Sequence, residues 1–307
     1  MDLFTTILLK LIPLYLMISL GYIAARRLKA QKETVAKILI YIIAPAVIFY
    51  GAYTTEMNFA SLSLPVFFFI LACLISLFFY GIGRLTYRED STKNILAFTS
   101  GTGNTGYFGL PVIYAVLGEN AFSLAVLSIL GFVLYENTLG YYFIAKGHYS
   151  TKESVRKVLK LPIVYAFAIG LLFNFFSLHL GDLAVTTISH FKGAYTLLGM
   201  MIIGMGLATV RLEHIDFKFI SLSFLAKFIT WPLVMGGCIL LDTLVFHVYG
   251  PSIYNVMIIM AIVPLAANTV AFATDLNVHP DKAALAVFLS TFFALFYIPL
   301  VTTLFIK

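Results

Sequence analysis

Charge is what this chain has least of. Asp, Glu, Lys and Arg make up 11% of its 307 residues, where a soluble domain carries roughly 25%. So few charges leave too little polar surface to cover a water-exposed globule, which excludes a soluble enzyme or binding module of ordinary composition. Cysteine is almost missing too. Cys73 and Cys238 both sit in apolar segments and read as small buried hydrophobes rather than a disulfide framework. The six histidines show no metal-ligand spacing, so no metal site is expected. No H-E-x-x-H, no pair of aspartates inside apolar runs and no G-x-S-x-G on a suitable turn is present, which argues against an enzyme. An ATP-binding motif is also lacking; no cofactor is expected, and any work must draw on a gradient or a partner. The lone Trp231, beside Pro232, reads as packing or an interface anchor.

What the chain has in excess is apolar length. Hydrophobic residues reach 61% and mean hydropathy is +0.98. A membrane span needs roughly 20 apolar residues. Ten candidates fit, at about 3–25, 34–53, 62–83, 93–117, 121–145, 159–178, 192–210, 218–241, 252–275 and 283–305. The first is long and lacks a basic leader and a small-residue cleavage site, so it reads as a true span rather than a removable signal. The expected fold class is all-α: a polytopic protein embedded in a lipid bilayer, in an inner or plasma membrane.

The basic residues set the orientation. The connections after spans 1, 3, 5, 7 and 9 hold Arg26, Arg27, Lys29, Lys32, Arg84, Arg88, Lys93, Lys146, Lys152, Arg156, Lys157, Arg211, Lys218 and Lys282; the opposite connections hold Lys192 and little else. The positive-inside bias then puts the first set in the cytoplasm and both termini outside. The same bias accounts for the net charge of +6, so nucleic acid is not an expected partner.

Five spans per half start the second half on the opposite side of the membrane, the condition for an inverted repeat. Asn104-Thr105-Gly106-Tyr107-Phe108-Gly109 in span 4 recurs as Asn268-Thr269-Val270-Ala271-Phe272-Ala273 in span 9, an offset of 164. Ala125–Ser128 meets Val287–Ser290 at an offset of 162, and Pro13 with Tyr15 meets Pro162 with Tyr165. The chain therefore divides into a first repeat over 1–145, a cytoplasmic loop over 146–158 and a second, inverted repeat over 159–307.

Span 4 contains "TSGTGNTGYFGLPV" (Thr99–Val112), the most helix-hostile stretch of the chain. Glycine costs roughly 1 kcal/mol at each helix-interior position, and Gly101, Gly103, Gly106 and Gly109 cluster here, with Pro111 just beyond. In span 9, Pro264 removes an amide donor about halfway along. Unwound backbone survives in a membrane only where it lines a cavity or is buried in protein. Breaks at equivalent places in two inverted halves point to a substrate site. Asn104-Thr105 and Asn268-Thr269 would open the half-helices that follow, as N-caps, aiming free N–H groups at the midplane. Such ends bind anions. Asn104, Thr105, Gly103, Gly106, Asn268 and Thr269 are thus candidate substrate-binding residues; Gly101, Gly109, Pro111 and Pro264 are candidate break residues. The competing reading is glycine-mediated close packing of helices.

At these residues the chain resembles the auxin efflux carrier family, which includes bacterial organic-acid permeases and plant auxin exporters and is related to the bile-acid sodium symporter fold. "NTGYFGLP" (Asn104–Pro111), "NVHPD" (Asn277–Asp281) and "IIAPAVIF" (Ile42–Phe49) carry the resemblance, which extends over the whole chain. It implies a scaffold domain, a transport domain in which spans 4 and 9 cross, elevator-like movement, organic-anion transport and a homodimer. Plant members carry proline where Gly103 stands and, in many cases, a long loop where this chain has 146–158.

The clearest charges inside spans are Glu136 in span 5 and Lys227 in span 8, at matching depth. Intramembrane charges are costly and mark function by default. They read either as a structural ion pair or as a coupling site, with a proton exchanged at Glu136. The expected function is a secondary carrier of a small organic anion such as malate or malonate, coupled to protons. The alternatives are a sodium-coupled symporter, with carbonyl oxygens as sodium ligands, and a non-transporting anion sensor.

Overall fold

The computed structural model describes residues 3–54, 59–118, 121–208 and 215–306, and every regular element among them is a helix. A bilayer offers the backbone no partner, so apolar runs satisfy their peptide groups internally. In chain order, α1 (Leu3–Arg27), α2 (Lys32–Tyr53) and α3 (Phe59–Tyr87) come first. α4 (Thr92–Ser100) and α5 (Leu110–Leu117) flank the break expected within 93–117, and α6 runs from Phe122 to Lys146 through a wide π turn at Glu136–Gly140. α7 (Thr151–Leu159) and α8 (Pro162–Phe175) meet at a 47° bend. α9 (Asp182–Leu207) and α10 (Phe217–Phe246) follow. α11 (Pro251–Ile262) and α12 (Ala267–Asp275) meet at a 50° bend, before α13 (Pro280–Phe305). Among the described residues, five helices are long and apolar enough to cross a membrane, and up to seven if each bent pair is one span. Their outer faces expose large apolar side chains such as Leu16, Phe78, Leu233 and Phe296, a surface suited to lipid and not to water.

The helices pack side by side in several close pairs. α1 lies along α9, and α2 along α8; α3 packs on α4 and α6, α10 on α11, and α12 on α13. Small residues allow the closest approach. A Cβ placed on Gly204 of α9 would collide with the carbonyl oxygen of Ile18 in α1, so these two backbones touch.

The connections rich in basic residues gather at one end of the molecule. Lys32 reaches Asp281 (3.1 Å), His279 reaches Asp90 (3.0 Å), and Lys282 reaches Asp216 (2.9 Å). His148 completes the set through the Asn277 carbonyl (2.9 Å). Segments following spans 1, 3, 5, 7 and 9 thus share one face. Arg211 lies outside the described residues.

Two sequence expectations change. Most of the loop expected at 146–158 is the helix α7, opened by a capping box in which Ser150 Oγ accepts from the Glu153 N–H and Glu153 accepts from the Ser150 N–H. Lys192 is not in a connection: α9 begins ten residues earlier, at Asp182. The polar residues Thr186, Thr187, Ser189 and His190 lower the hydropathy of that first part, so an apolar-run criterion starts the helix too late.

Candidate functional site

The two breaks meet. α4 ends at Ser100, and the chain runs through Gly101, Thr102 and Gly103 to Asn104, whose N–H donates to the Pro264 carbonyl in the other break (2.7 Å). Proline has no N–H to give, but its carbonyl here closes the gap between the halves. On the far side, Val263 and Ala266 are extended (ψ 154° and 133°), and the Leu265 N–H finds Ser290 Oγ of α13 (3.1 Å). Gly101 caps α4, Gly106 and Gly109 lie in the π turn Thr105–Gly109, and Pro111 enters the first turn of α5. A Cβ on Gly109 would lie 3.3 Å from Val263, whereas Gly106 has open space before it.

The expected capping is not what the asparagines do. Asn104 stands at the N-cap position, but its side chain makes no cap hydrogen bond; its amide faces Met200 Sδ at 3.9 Å. Asn268 is the second residue inside α12, behind the N-cap Ala266, and is committed elsewhere. Its amide donates to Glu136 Oε2 (2.7 Å) and to the Tyr195 hydroxyl (3.3 Å). The other oxygen of Glu136 accepts from the Thr102 hydroxyl (2.5 Å). One carboxyl therefore ties the first break to the helix that follows the second.

Glu136 and Lys227 do not pair. Lys227 donates to the Met260 carbonyl (3.4 Å), and no ion pair joins the two charges among the described residues. Both occupy π turns, Glu136–Gly140 and Leu225–Thr230. Such turns push one residue out of helical register and are frequent at functional sites. Thr105 and Thr269 are buried, and the Thr269 hydroxyl and Asn104 Oδ1 have no hydrogen-bond partner among the described residues.

Against these breaks lies a cavity of about 420 Å³. Gly103, Asn104, Thr105, Gly106, Ala267 and Asn268 form one wall and Glu136 with its neighbours on α6 another; α2 and α9 close it with Tyr50, Lys192, Tyr195 and Thr196. It sits between α2 and α9 on one side and the breaks with α6 on the other. Lys192 Nζ lies 3.8 Å over the Tyr50 ring, a cation–π geometry, and no ion pair of Lys192 is found among the described residues. Sequence reasoning passed over Lys192, Thr102 and Tyr195. The signal available was that Lys192 stands almost alone on its side of the basic bias.

The comparisons with known proteins agree with this architecture. The sequence pattern of the membrane transport protein family matches residues 6–302. An uncharacterized transporter of Methanocaldococcus jannaschii is 28% identical over 284 residues, covering 88% of this chain and 89% of its own. An uncharacterized transporter of Methanothermobacter thermautotrophicus is 24% identical over 273 residues, covering 87% of each. A helical membrane architecture, two broken spans joined at a cavity, and a family match over nearly the whole length lead to one conclusion: the chain belongs to the membrane transport protein family, the auxin efflux carriers, and is a multi-pass membrane transporter.

Proposed function

We propose that this transporter is a secondary carrier of a small organic anion, bound in the cavity at the two breaks and coupled to a proton at Glu136. The observation that carries the reading is Lys192: a cation in the wall of a largely apolar cavity with no ion-pair partner among the described residues. A charge there is poorly screened, so the cavity favours an anionic cargo. The α12 terminus adds its positive end to the same cavity. Glu136 supplies the coupling in this reading. A second carboxylate entering beside it raises the cost of keeping both ionised, so cargo and proton bind together.

The arrangement of helices supports an elevator-like movement. The pairs α1–α9 and α2–α8 form the proposed scaffold, and the breaks with α3, α6, α10 and α13 form the moving part, with the cavity at their boundary. The exchange of partners between the first two spans of each half is also what an inverted repeat produces. The end bearing the basic connections is assigned to the cytoplasm.

The test is flux in proteoliposomes with labelled malate, malonate, lactate and indole-3-acetate, under an imposed pH or sodium gradient. Saturable, pH-driven flux of a carboxylate is expected, lost in Asn104→Ala and Asn268→Ala while both variants stay folded. Normal transport by both variants rejects the site. Binding of a carboxylate with no flux in the wild type makes the protein a sensor.

A further inference from the structure

α10 contributes no residue to the cavity lining given above, yet it aims two donors at the broken helices. Trp231 Nε1 donates to the carbonyl of Ser100, the last residue of α4 (2.8 Å). One helical turn earlier, Lys227 Nζ donates to the carbonyl of Met260 in the last turn of α11 (3.4 Å). Both side chains are fully buried, and Nζ lies 4.8 Å from the Trp231 ring centroid. A Cβ built on Gly103 would sit 2.5 Å from Nζ and 2.9 Å from Val263 Cγ2, so the ammonium fills the notch between the breaks and a side chain at position 103 would have to displace it.

Two half-helices end here by their C-termini. Their last carbonyls lack intrahelical donors and carry the negative ends of the helix dipoles. In membrane carriers with broken helices, such carbonyl ends and unwound backbone are where a coupling sodium ion is held. Here a covalently attached cation already stands at that place. Lys227 has no carboxylate partner among the described residues, so helix ends, backbone carbonyls and the indole face are its compensation.

We propose that the Lys227 ammonium is the resident cation of the crossing, taking the place of an alkali ion, so that this carrier runs without sodium. Its part is positional: it neutralises the α11 carbonyl end so that the two breaks can lie against each other. The flux readout rests on the carrier reading given above; the stability readout does not.

The test compares purified wild type, Lys227→Gln and Lys227→Ala in NaCl and in choline chloride at equal ionic strength. Thermal unfolding in detergent and carboxylate flux in proteoliposomes are both measured. Wild-type unfolding and flux are expected to be the same in the two salts. The variants are expected to lose most flux and unfold at lower temperature in choline chloride. They should recover with saturable dependence on sodium or, for the shorter Ala side chain, methylammonium. Wild-type stabilisation or activation by sodium overturns the proposal. So does a Lys227→Gln protein that behaves as wild type in choline chloride, or a folded Lys227→Ala that responds to neither cation. The wild-type arm decides even where a variant fails to fold. Absence of flux for every carboxylate defeats the carrier reading alone, because the unfolding measurements still decide the role of Lys227.

Discussion

At the scale of single residues, Glu136 holds the site together. Its two oxygens take the Thr102 hydroxyl and the Asn268 amide, so one buried carboxyl spans both breaks. Glu136→Gln keeps the shape and one acceptor but removes the proton on which the proposed coupling depends. Stability should fall by about 1–2 kcal/mol, the cost of one mismatched buried hydrogen bond. Flux driven by a pH gradient should vanish, while exchange of labelled for unlabelled cargo continues. A variant that still accumulates cargo against a pH gradient removes Glu136 from the coupling step. Lys192→Gln tests the charge in the cavity wall separately. KM for a carboxylate should rise about tenfold, as loss of about 1.4 kcal/mol of attraction requires, with the unfolding temperature unchanged. Because Lys192 stacks on Tyr50 and lines the cavity, an unchanged KM places the cargo elsewhere.

Elements meet through glycines, and adding a side chain has opposite consequences at two of them. At Gly204 a side chain would run into the Ile18 carbonyl, which cannot move without separating α1 from α9. Gly204→Val should cost about 3 kcal/mol or more by overpacking, seen as loss of monodisperse protein on size exclusion. At Gly106 a methyl group meets nothing and points into space beside the cavity. Gly106→Ala should leave stability unchanged or raise it by up to about 1 kcal/mol through helix propensity. Its effect belongs in KM and in the size of carboxylate accepted. The π turns add to this contrast: Glu136, Lys227 and Thr105 all sit on wide turns that a periodic pattern reads as continuous helix.

The whole molecule is tied at one end by a small network that responds to pH. Burial pushes the His279 imidazole below its ordinary value and Lys282 adds to the effect, against the pull of Asp90; His148 also faces it. Burial alone would raise Asp216, but hydrogen bonds from Lys282 and the Phe219 N–H outweigh it and hold the carboxyl below its usual range. Asp90, bonded to Thr92 and near His279 and Lys282, is lowered in the same way. Groups lowered on folding bind protons less readily in the native state. Their contribution is therefore present above the unfolded-state value and is lost as pH falls. The unfolding temperature in detergent should stay level near neutrality, decline below about 6.5 as His279 resists protonation, and decline again below about 3.9 with the aspartates. His279→Gln should remove the first decline and leave the second.

Composition and apolar length alone determined that this chain lives in a bilayer as helices, because 11% charged residues leave no other way to cover its surface. The position of the breaks was legible for a similar reason: glycines and proline declare their cost locally, whatever surrounds them. The family could be read from the Asn104–Pro111 stretch, and the residue match spans 6–302. What lay beyond sequence was which polar group answers which. Asn268 reads as a cap by its type, yet it is spent on Glu136, 132 positions away. Lys227 reads as a partner for Glu136 by depth, yet it faces a helix end. Lys192 reads as a loop residue, yet it enters a cavity wall. Those choices were decided by tertiary structure, because a buried polar group takes whichever partner the packing of distant helices brings within hydrogen-bond reach, and neither period nor propensity encodes that distance.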